Sequence, residues 1–355
     1  MNKIKSVTEN ITGLDSDVMR KTQVRLDNLT KPHGSLGRLE ELAKLIAGIT
    51  GKENPILKNK VIFTFAADHG VTEDGVSAYP KEVTAQMVYN FLNGGAAINV
   101  LSNHIGARVV IADLGVAEEF KVQGSMLKCF TDRKIGFGTK NMAKGPAMTR
   151  EEATQAICAG IDIFGAEFEK GIDIIGLGEM GIGNTTASSA ITAVLTNTPI
   201  EDVTGRGTGI DEKGLKNKIE KIKKALQINN PEPNDAIDVL SKVGGFEIGG
   251  LAGVILAAAS KKIPVVIDGF ISGAAALIAF HIEPKTKNYM IASHCSVERG
   301  HKIILKHLGL EPIMDLNLRL GEGTGATLGI NIAEASIKIL TEMATFQSAN
   351  VSTKD

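Results

Sequence analysis

Short runs of β-branched and aliphatic residues recur along the chain, each ending in an acidic or glycine-rich cluster and followed by helical spacing. Val61–Phe65 leads into Ala66-Ala-Asp-His-Gly, and Arg108–Ala112 into Asp113-Leu-Gly. Ile172–Ile175 leads into Gly176-Leu-Gly-Glu-Met-Gly, Ile263–Ile267 into Asp268-Gly, and Tyr289–Ala292 into Ser293-His-Cys-Ser. None of these runs shows the strict polar–apolar alternation of a half-solvated sheet, so they predict strands covered by helices on both faces. Helical spacing fills the stretches between, including 149–168, 247–260 and 296–307. Alternating strand and helix implies an α/β fold with a doubly wound parallel sheet and right-handed crossovers. Ligands of such sheets bind beyond the carboxyl ends of the strands, where all five polar clusters fall.

The two ends of the chain read differently. Segments 15–29, 35–49 and 328–345 have amphipathic helical spacing and predict a small helical domain built from both termini. The expected organisation is residues 1–55 as its N-terminal part, 56–327 as a large α/β domain, and 328–355 as the C-terminal helix completing the small one. Residues 347–355 are expected to fray. The long apolar stretch 263–280 carries Asp268 and several glycines, which fits a strand followed by a buried helix better than a membrane span.

Composition narrows the function classes. The 355 residues are 43% hydrophobic and 22% charged, with a formal net charge of −1, so no electrostatic case exists for a nucleic-acid or anionic-membrane partner. Tryptophan is absent and aromatics are scarce, which leaves few platforms for stacking single-stranded bases. Cys129, Cys158 and Cys295 are far apart and form no CxxC pair, so neither a disulfide framework nor a zinc knuckle is supported. Met1–Asn10 is polar with no apolar signal core, and a cytoplasmic protein is expected.

Several motifs carry chemistry. Gly176-Leu-Gly-Glu-Met-Gly matches GxGxxG between a strand and a helix, whose start near Asn184-Thr-Thr offers capping side chains. A nicotinamide-dinucleotide-dependent oxidoreductase using the Gly176–Gly181 turn is one reading, but no strand ending in an acidic residue follows about 20 residues on. A bare tight turn is another. Glu179 favours a ligand, because its carboxylate is placed to accept hydrogen bonds from ribose hydroxyls. Gly205-Arg-Gly-Thr-Gly-Ile-Asp, followed by Lys213, Lys216 and Lys218, offers a phosphate nest; the bland alternative is a solvated basic helix face. Asp68-His69 and Ser293-His294-Cys295 make a thin metal-ligand set with no HExxH, and no metal is expected. GxSxG and GxxxxGK[ST] are both absent, against α/β-hydrolase and Walker-type ATPase readings. Glu322 stands between glycines, after Leu318 and Leu320 and before a helix. Apolar neighbours raise a carboxylate towards useful base strength, while the helix terminus pulls the other way. A helix-start glutamate without catalytic duty is the alternative.

Seven segments, taken in order, resemble one family: Lys31–Glu40, Ala67–Val71, Tyr79–Thr84, Gly178–Thr186, Gly205–Gly209, Asp268–Phe270 and Leu318–Ala326. The family is the nicotinate-nucleotide–dimethylbenzimidazole phosphoribosyltransferases, which build the lower-ligand nucleotide of cobalamin. The resemblance implies a Rossmann-like large domain, a small helical domain from both termini, a homodimer, and no cofactor. It implies transfer of the phosphoribosyl group of nicotinate mononucleotide to dimethylbenzimidazole with inversion at the anomeric carbon. By the same resemblance Glu322 is the general base, Glu179 a ribose and substrate contact, and Lys218 and Ser296 phosphate contacts. Gln86 and the loop around Tyr79 belong to the benzimidazole pocket, and Gly181, Gly207, Asp268 and Leu320 are further substrate contacts.

Overall fold

The structure, a computed structural model, describes residues 2–352, the side chain of residue 125 excepted. Six parallel strands form one sheet: β1 (Lys60–Ala67), β2 (Arg108–Gly115), β3 (Phe130–Asp132), β4 (Ile174–Met180), β5 (Val265–Ile267) and β6 (Met290–Ala292). Their order is β3-β2-β1-β4-β5-β6. The chain starts at the centre, winds outward to β3, and returns to pair β4 with the free side of β1. The winding reverses between β1 and β4, which opens a crevice at their carboxyl ends. Five of the six strands lie where the apolar runs predict them. The sixth, β3, is a three-residue edge strand of partly exposed residues, too short to show a period.

Every residue of β1 is buried, and its side chains divide by parity between two cores. Val61, Phe63, Phe65 and Ala67 face a layer that includes the helices Arg150–Phe168, Phe246–Ser260 and Phe270–Ile282. Glycines let two of these helices touch backbone to backbone. A β-carbon at Gly160 would overlap the Gly250 carbonyl, and one at Gly253 would overlap that of Ile157. The apolar stretch 263–280 is accordingly a strand and a buried helix, and no helix of the described residues is long and apolar enough to cross a membrane.

Ile62 and Ala66 face the second layer, where helices from both chain ends meet. Helices Ser16–Asp27 and Arg38–Thr50 pack with Thr324–Glu342. Leu29 bridges Thr345, and Phe346 N–H donates to Asn28 O at 3.0 Å. The last long helix begins four residues before the expected start and crosses position 328 without a break. Its Ala326 and Ile330 pack on Ile62 of the sheet, so the same helix joins the terminal bundle to the sheet. A short helix, Phe346–Ala349, capped by Thr345, replaces part of the expected frayed tail. Residues 353–355 of that expectation lie outside the described residues.

Candidate active site

A cavity of about 380 Å³ opens at the carboxyl edge of β4, β5 and β6. Its walls are the segments that follow these strands, the loop before helix Thr324–Glu342, and, across the opening, Tyr79, Val83 and Met87. Each polar cluster after β4, β5 and β6 contributes to it, as the sheet topology requires.

Glu322 lies in this wall, 4% exposed. Gly321, Glu322 and Gly323 have φ values of 85°, 62° and 98°, so a non-glycine residue is held in the left-handed region between two glycines that adopt it freely. Such a conformation persists only where the surroundings fix it. Here Thr64 Oγ1 donates to Glu322 O at 3.0 Å, and Gly178 of β4 leaves space for that carbonyl. The side chain is fixed as well: Oε2 accepts from Ile98 N–H at 3.2 Å, in the first turn of helix Ala97–Ile105. Burial pushes the Glu322 carboxyl above its ordinary pKa, and the Ile98 N–H opposes the rise. The two opposing influences expected from sequence are both present, but their sources differ. Leu320 is 58% exposed and does not bury the carboxylate, and the opposing amide belongs to a different helix.

Glu179, at the end of β4, is buried and accepts a hydrogen bond on Oε2 from Asn184 Nδ2. A β-carbon at Gly321 would overlap its Oε1, so the Glu322 loop runs directly against it. Burial first, then the charges of Asp268 and Glu247, push Glu179 up to about 8. Asp268, at the end of β5, is pushed by burial up to about 7, although its Oδ1 accepts from Ala326 N–H at 2.9 Å and its Oδ2 from Gly323 N–H at 3.2 Å. Its carboxylate thus caps helix Thr324–Glu342 from across the sheet edge and holds the Glu322 loop.

These raised values have a stability consequence. Glu179 and Asp268 keep protons in the folded chain at pH values where the unfolded chain has lost them. From about pH 4 to about pH 8 these two groups therefore hold more protons in the folded state, and their contribution to stability falls as pH rises through that window. Glu179→Gln removes the Glu179 share. Thermal unfolding midpoints of the variant should gain on the parent steadily from about pH 5 to about pH 9; a constant difference across that range would contradict the assignment.

Of the other residues singled out from sequence, Gly181, Gly207, Ser296, Leu320 and Tyr79 all line the cavity. Asp268 stands behind the wall, which Gly269 forms in its place. Lys218 is also behind it: fully buried, its Nζ bonds Thr185 Oγ1 at 2.8 Å and Gly205 O at 3.4 Å, and burial lowers its ammonium to about 8. It is therefore not part of a solvated basic face, although its neighbours Lys213 and Lys216 are more open to solvent. Gln86 is exposed on helix Val83–Leu92 and does not line the cavity; Val83 and Met87, one turn apart, do.

Three participants were read from sequence only in other places or roles. Asn184, read as a helix cap, bonds Glu179 instead; the N-cap is Gly183 and makes no side-chain cap. Glu298 lines the cavity and accepts from Gly207 N–H at 3.0 Å, so a carboxylate engages the glycine loop read as a phosphate nest. His294 lines it too, with burial holding the ring below its ordinary pKa. Ser296 and Glu298, placed in a helix by the pattern, precede one that begins at Arg299. Among the described residues no group of three His, Cys, Asp or Glu is arranged to hold a metal ion.

The GxGxxG match is corrected by the structure. Gly176 and Gly178 lie inside β4, where their missing side chains admit Ala326, Ile330 and the Glu322 main chain. Only Gly181 belongs to the strand-to-helix turn, so the motif serves close packing of the Glu322 loop and is not a dinucleotide cradle. The oxidoreductase reading loses its one supporting feature.

Comparison with known proteins agrees with this geometry. A family model described as Phosphoribosyltransferase matches residues 11–351. The nicotinate-nucleotide–dimethylbenzimidazole phosphoribosyltransferase of Desulforudis audaxviator is 55% identical over 352 residues, covering 99% of each chain. The enzyme of that name from Geobacter metallireducens is 54% identical, covering 99% of this chain and 98% of its own. The crystal structure of the Thermus thermophilus enzyme superposes with a TM-score of 0.90 at 42% identity, over 96% of this chain and all of that one. With a doubly wound sheet, a carboxylate-lined cavity at its strand ends, and relatives of this likeness over its whole length, the chain belongs to the nicotinate-nucleotide–dimethylbenzimidazole phosphoribosyltransferase family.

Proposed function

We propose that the chain transfers the phosphoribosyl group of nicotinate mononucleotide to a benzimidazole, with dimethylbenzimidazole as acceptor, giving α-ribazole 5′-phosphate and nicotinate, and that Glu322 is the general base. The observation that carries this reading is the Glu322 carboxylate. It sits in the cavity wall on a loop fixed at both its main chain and its side chain, one oxygen taken by Ile98 and the other without a protein hydrogen bond among the described residues.

A single base suffices for this chemistry. The nicotinate ring of the nucleotide is already a pyridinium, so it leaves as a heterocycle carrying the bonding electrons and needs no proton from an acid. The acceptor attacks the anomeric carbon through its unprotonated nitrogen and becomes an acidic benzimidazolium as the bond forms. Glu322 takes the proton from the other nitrogen. Positive charge developing on the ribosyl carbon is stabilised by Glu179 in its ionised form, which gains population as pH rises towards about 8. Burial favours this division of labour, because it raises the proton affinity of Glu322 while a backbone amide fixes the direction of its oxygen.

Lys218 and Ser296 supply the phosphate end, beside the loop whose Gly207 N–H donates to Glu298. Lys218 acts from behind the wall through Thr185 and the 205–208 loop. The apolar surfaces of Tyr79, Val83, Met87 and Leu320 take the acceptor ring. We further read the working unit as a homodimer, which sedimentation velocity tests directly.

The test is incubation of the purified protein with nicotinate mononucleotide and a panel of benzimidazoles, followed by product masses. Nicotinate release that depends on the azole, with one ribosylated azole per nicotinate, is the expected result. Binding of the nucleotide without azole-dependent release would reduce the protein to a sensor and reject the reading.

A further inference from the structure

We propose that His69 and Glu247 act as a positioning pair for Glu179, working through the Gly181–Gly183 turn without touching substrate. The proposal rests on the role given above to Glu179 in phosphoribosyl transfer. Neither residue lines the cavity. His69, just beyond β1, and Glu247, in the first turn of helix Phe246–Ser260, approach to 2.7 Å between Nε2 and Oε1. They are 2% and 0% exposed. As a source of stability a buried pair of this kind is close to neutral, since desolvation offsets the attraction, so its placement calls for another role.

That role follows from what the pair touches. A β-carbon at Gly181 or at Gly183 would stand 3.4 Å from His69 atoms, so the side chain lies directly against the turn. Thr72 continues the support: its N–H and Oγ1 both donate to His69 O, at 3.1 and 2.8 Å. Its methyl group meets Gly183. The turn in question joins Glu179 to Asn184, the two residues whose side chains bond each other. From the other side, a β-carbon at Gly245 would overlap His69 Cε1 and stand 2.6 Å from Glu247 Oε2, so nothing larger than glycine fits against the pair. Glu247 Oε2 is buried and takes no hydrogen bond from the described residues, which leaves its charge to act on what surrounds it.

The charged groups facing Glu179 are Asp268 at the end of β5, Glu247, and Glu322 before helix Thr324–Glu342, with the Asn184 amide opposing them. Glu247 itself faces His69 and Asp68. Burial works against an imidazolium at His69, but the Glu247 and Asp68 carboxylates together outweigh it and the ring's pKa is raised.

Glu247→Gln keeps an acceptor for His69 and removes the charge. The readout is the Glu179 carboxyl, followed by ¹³C NMR of glutamate-labelled full-length protein and assigned by its loss in Glu179→Gln. Its titration midpoint should fall by about one pH unit in Glu247→Gln. A residue that merely filled the core would leave the midpoint in place, and that result would overturn the proposal. The same downward shift is expected in the acid limb of kcat/KM for azole-dependent nicotinate release. A midpoint that moves while the limb stays supports the pair and removes Glu179 from the reaction, so the two claims fail separately. Should Glu247→Gln not fold, Gly245→Ala changes no charge but forces the pair apart. Amide hydrogen exchange at residues 181–183 should then quicken by about tenfold or more, with the Glu179 midpoint displaced. Unchanged exchange and an unchanged midpoint would reject the pair's role.

Discussion

Glu322→Gln should leave nicotinate mononucleotide binding nearly intact while turnover falls by roughly 10²–10⁴-fold, the range for loss of an acid–base group. The reason is structural as well as chemical. A glutamine oxygen can accept the Ile98 N–H as the carboxylate does, and the backbone hydrogen bond from Thr64 is untouched, so the loop keeps its left-handed conformation. What disappears, on the proposed mechanism, is the ability to take a proton from the acceptor's second nitrogen. Isothermal titration with the nucleotide, paired with single-turnover rates, separates the two effects. A variant that turns over near the parent rate would remove Glu322 from its role, whereas one that no longer binds the nucleotide would recast it as a ground-state contact.

Gly178→Ala should be nearly as damaging, although residue 178 is inside a strand and carries no functional group. An added β-carbon there would overlap the Glu322 carbonyl oxygen and stand 2.5 Å from its carbonyl carbon and 2.7 Å from Gly323 N. All three are main-chain atoms, so no side-chain rotation relieves the clash, and the loop holding Glu322 must shift. Misplacing a catalytic group by about 1 Å costs on the order of 10²-fold in rate. Overpacking of a filled interior costs about 1–3 kcal/mol. Both are expected, as a lower kcat and a lower unfolding midpoint. Gly165→Ala is the control: its β-carbon meets nothing within 4 Å, and it sits in the last turn of helix Arg150–Phe168, where alanine stabilises by about 0.4–1 kcal/mol. Equal behaviour of the two variants would mean that the close approach at Gly178 does not position the site.

The contrast between these glycines shows how much of the molecule was legible in the sequence. Buried parallel strands write themselves as continuous apolar runs, so five strands and the position of the site at their carboxyl ends could be read directly. β3 could not, because three partly exposed residues carry no period. The Gly-Glu-Gly setting marked Glu322 as a candidate, since such a run signals an unusual backbone and close packing, while its role came from the family resemblance. The partners that make it work were invisible: Ile98, Thr64 and Gly178 lie 224, 258 and 144 residues away in sequence, and only the sheet brings them together. Spacing alone left Gly176-Leu-Gly-Glu-Met-Gly open between a ligand turn and a packing device, because a glycine that admits a ligand and one that admits a neighbouring main chain look the same in a motif. Lys218 was singled out only by the family resemblance. It shares a helix with solvated lysines, and nothing local distinguishes the one that turns inward beneath Thr185.

The central claim is that one buried carboxylate removes the acceptor's proton while nicotinate departs unaided. A crystal structure of the protein with a benzimidazole and an unreactive analogue of nicotinate mononucleotide bound together tests it most directly. A Glu322 carboxylate oxygen is expected within hydrogen-bond distance, about 2.6–3.2 Å, of the acceptor nitrogen that faces away from the ribose. Another side chain in that position, with Glu322 turned from the ring, would contradict it.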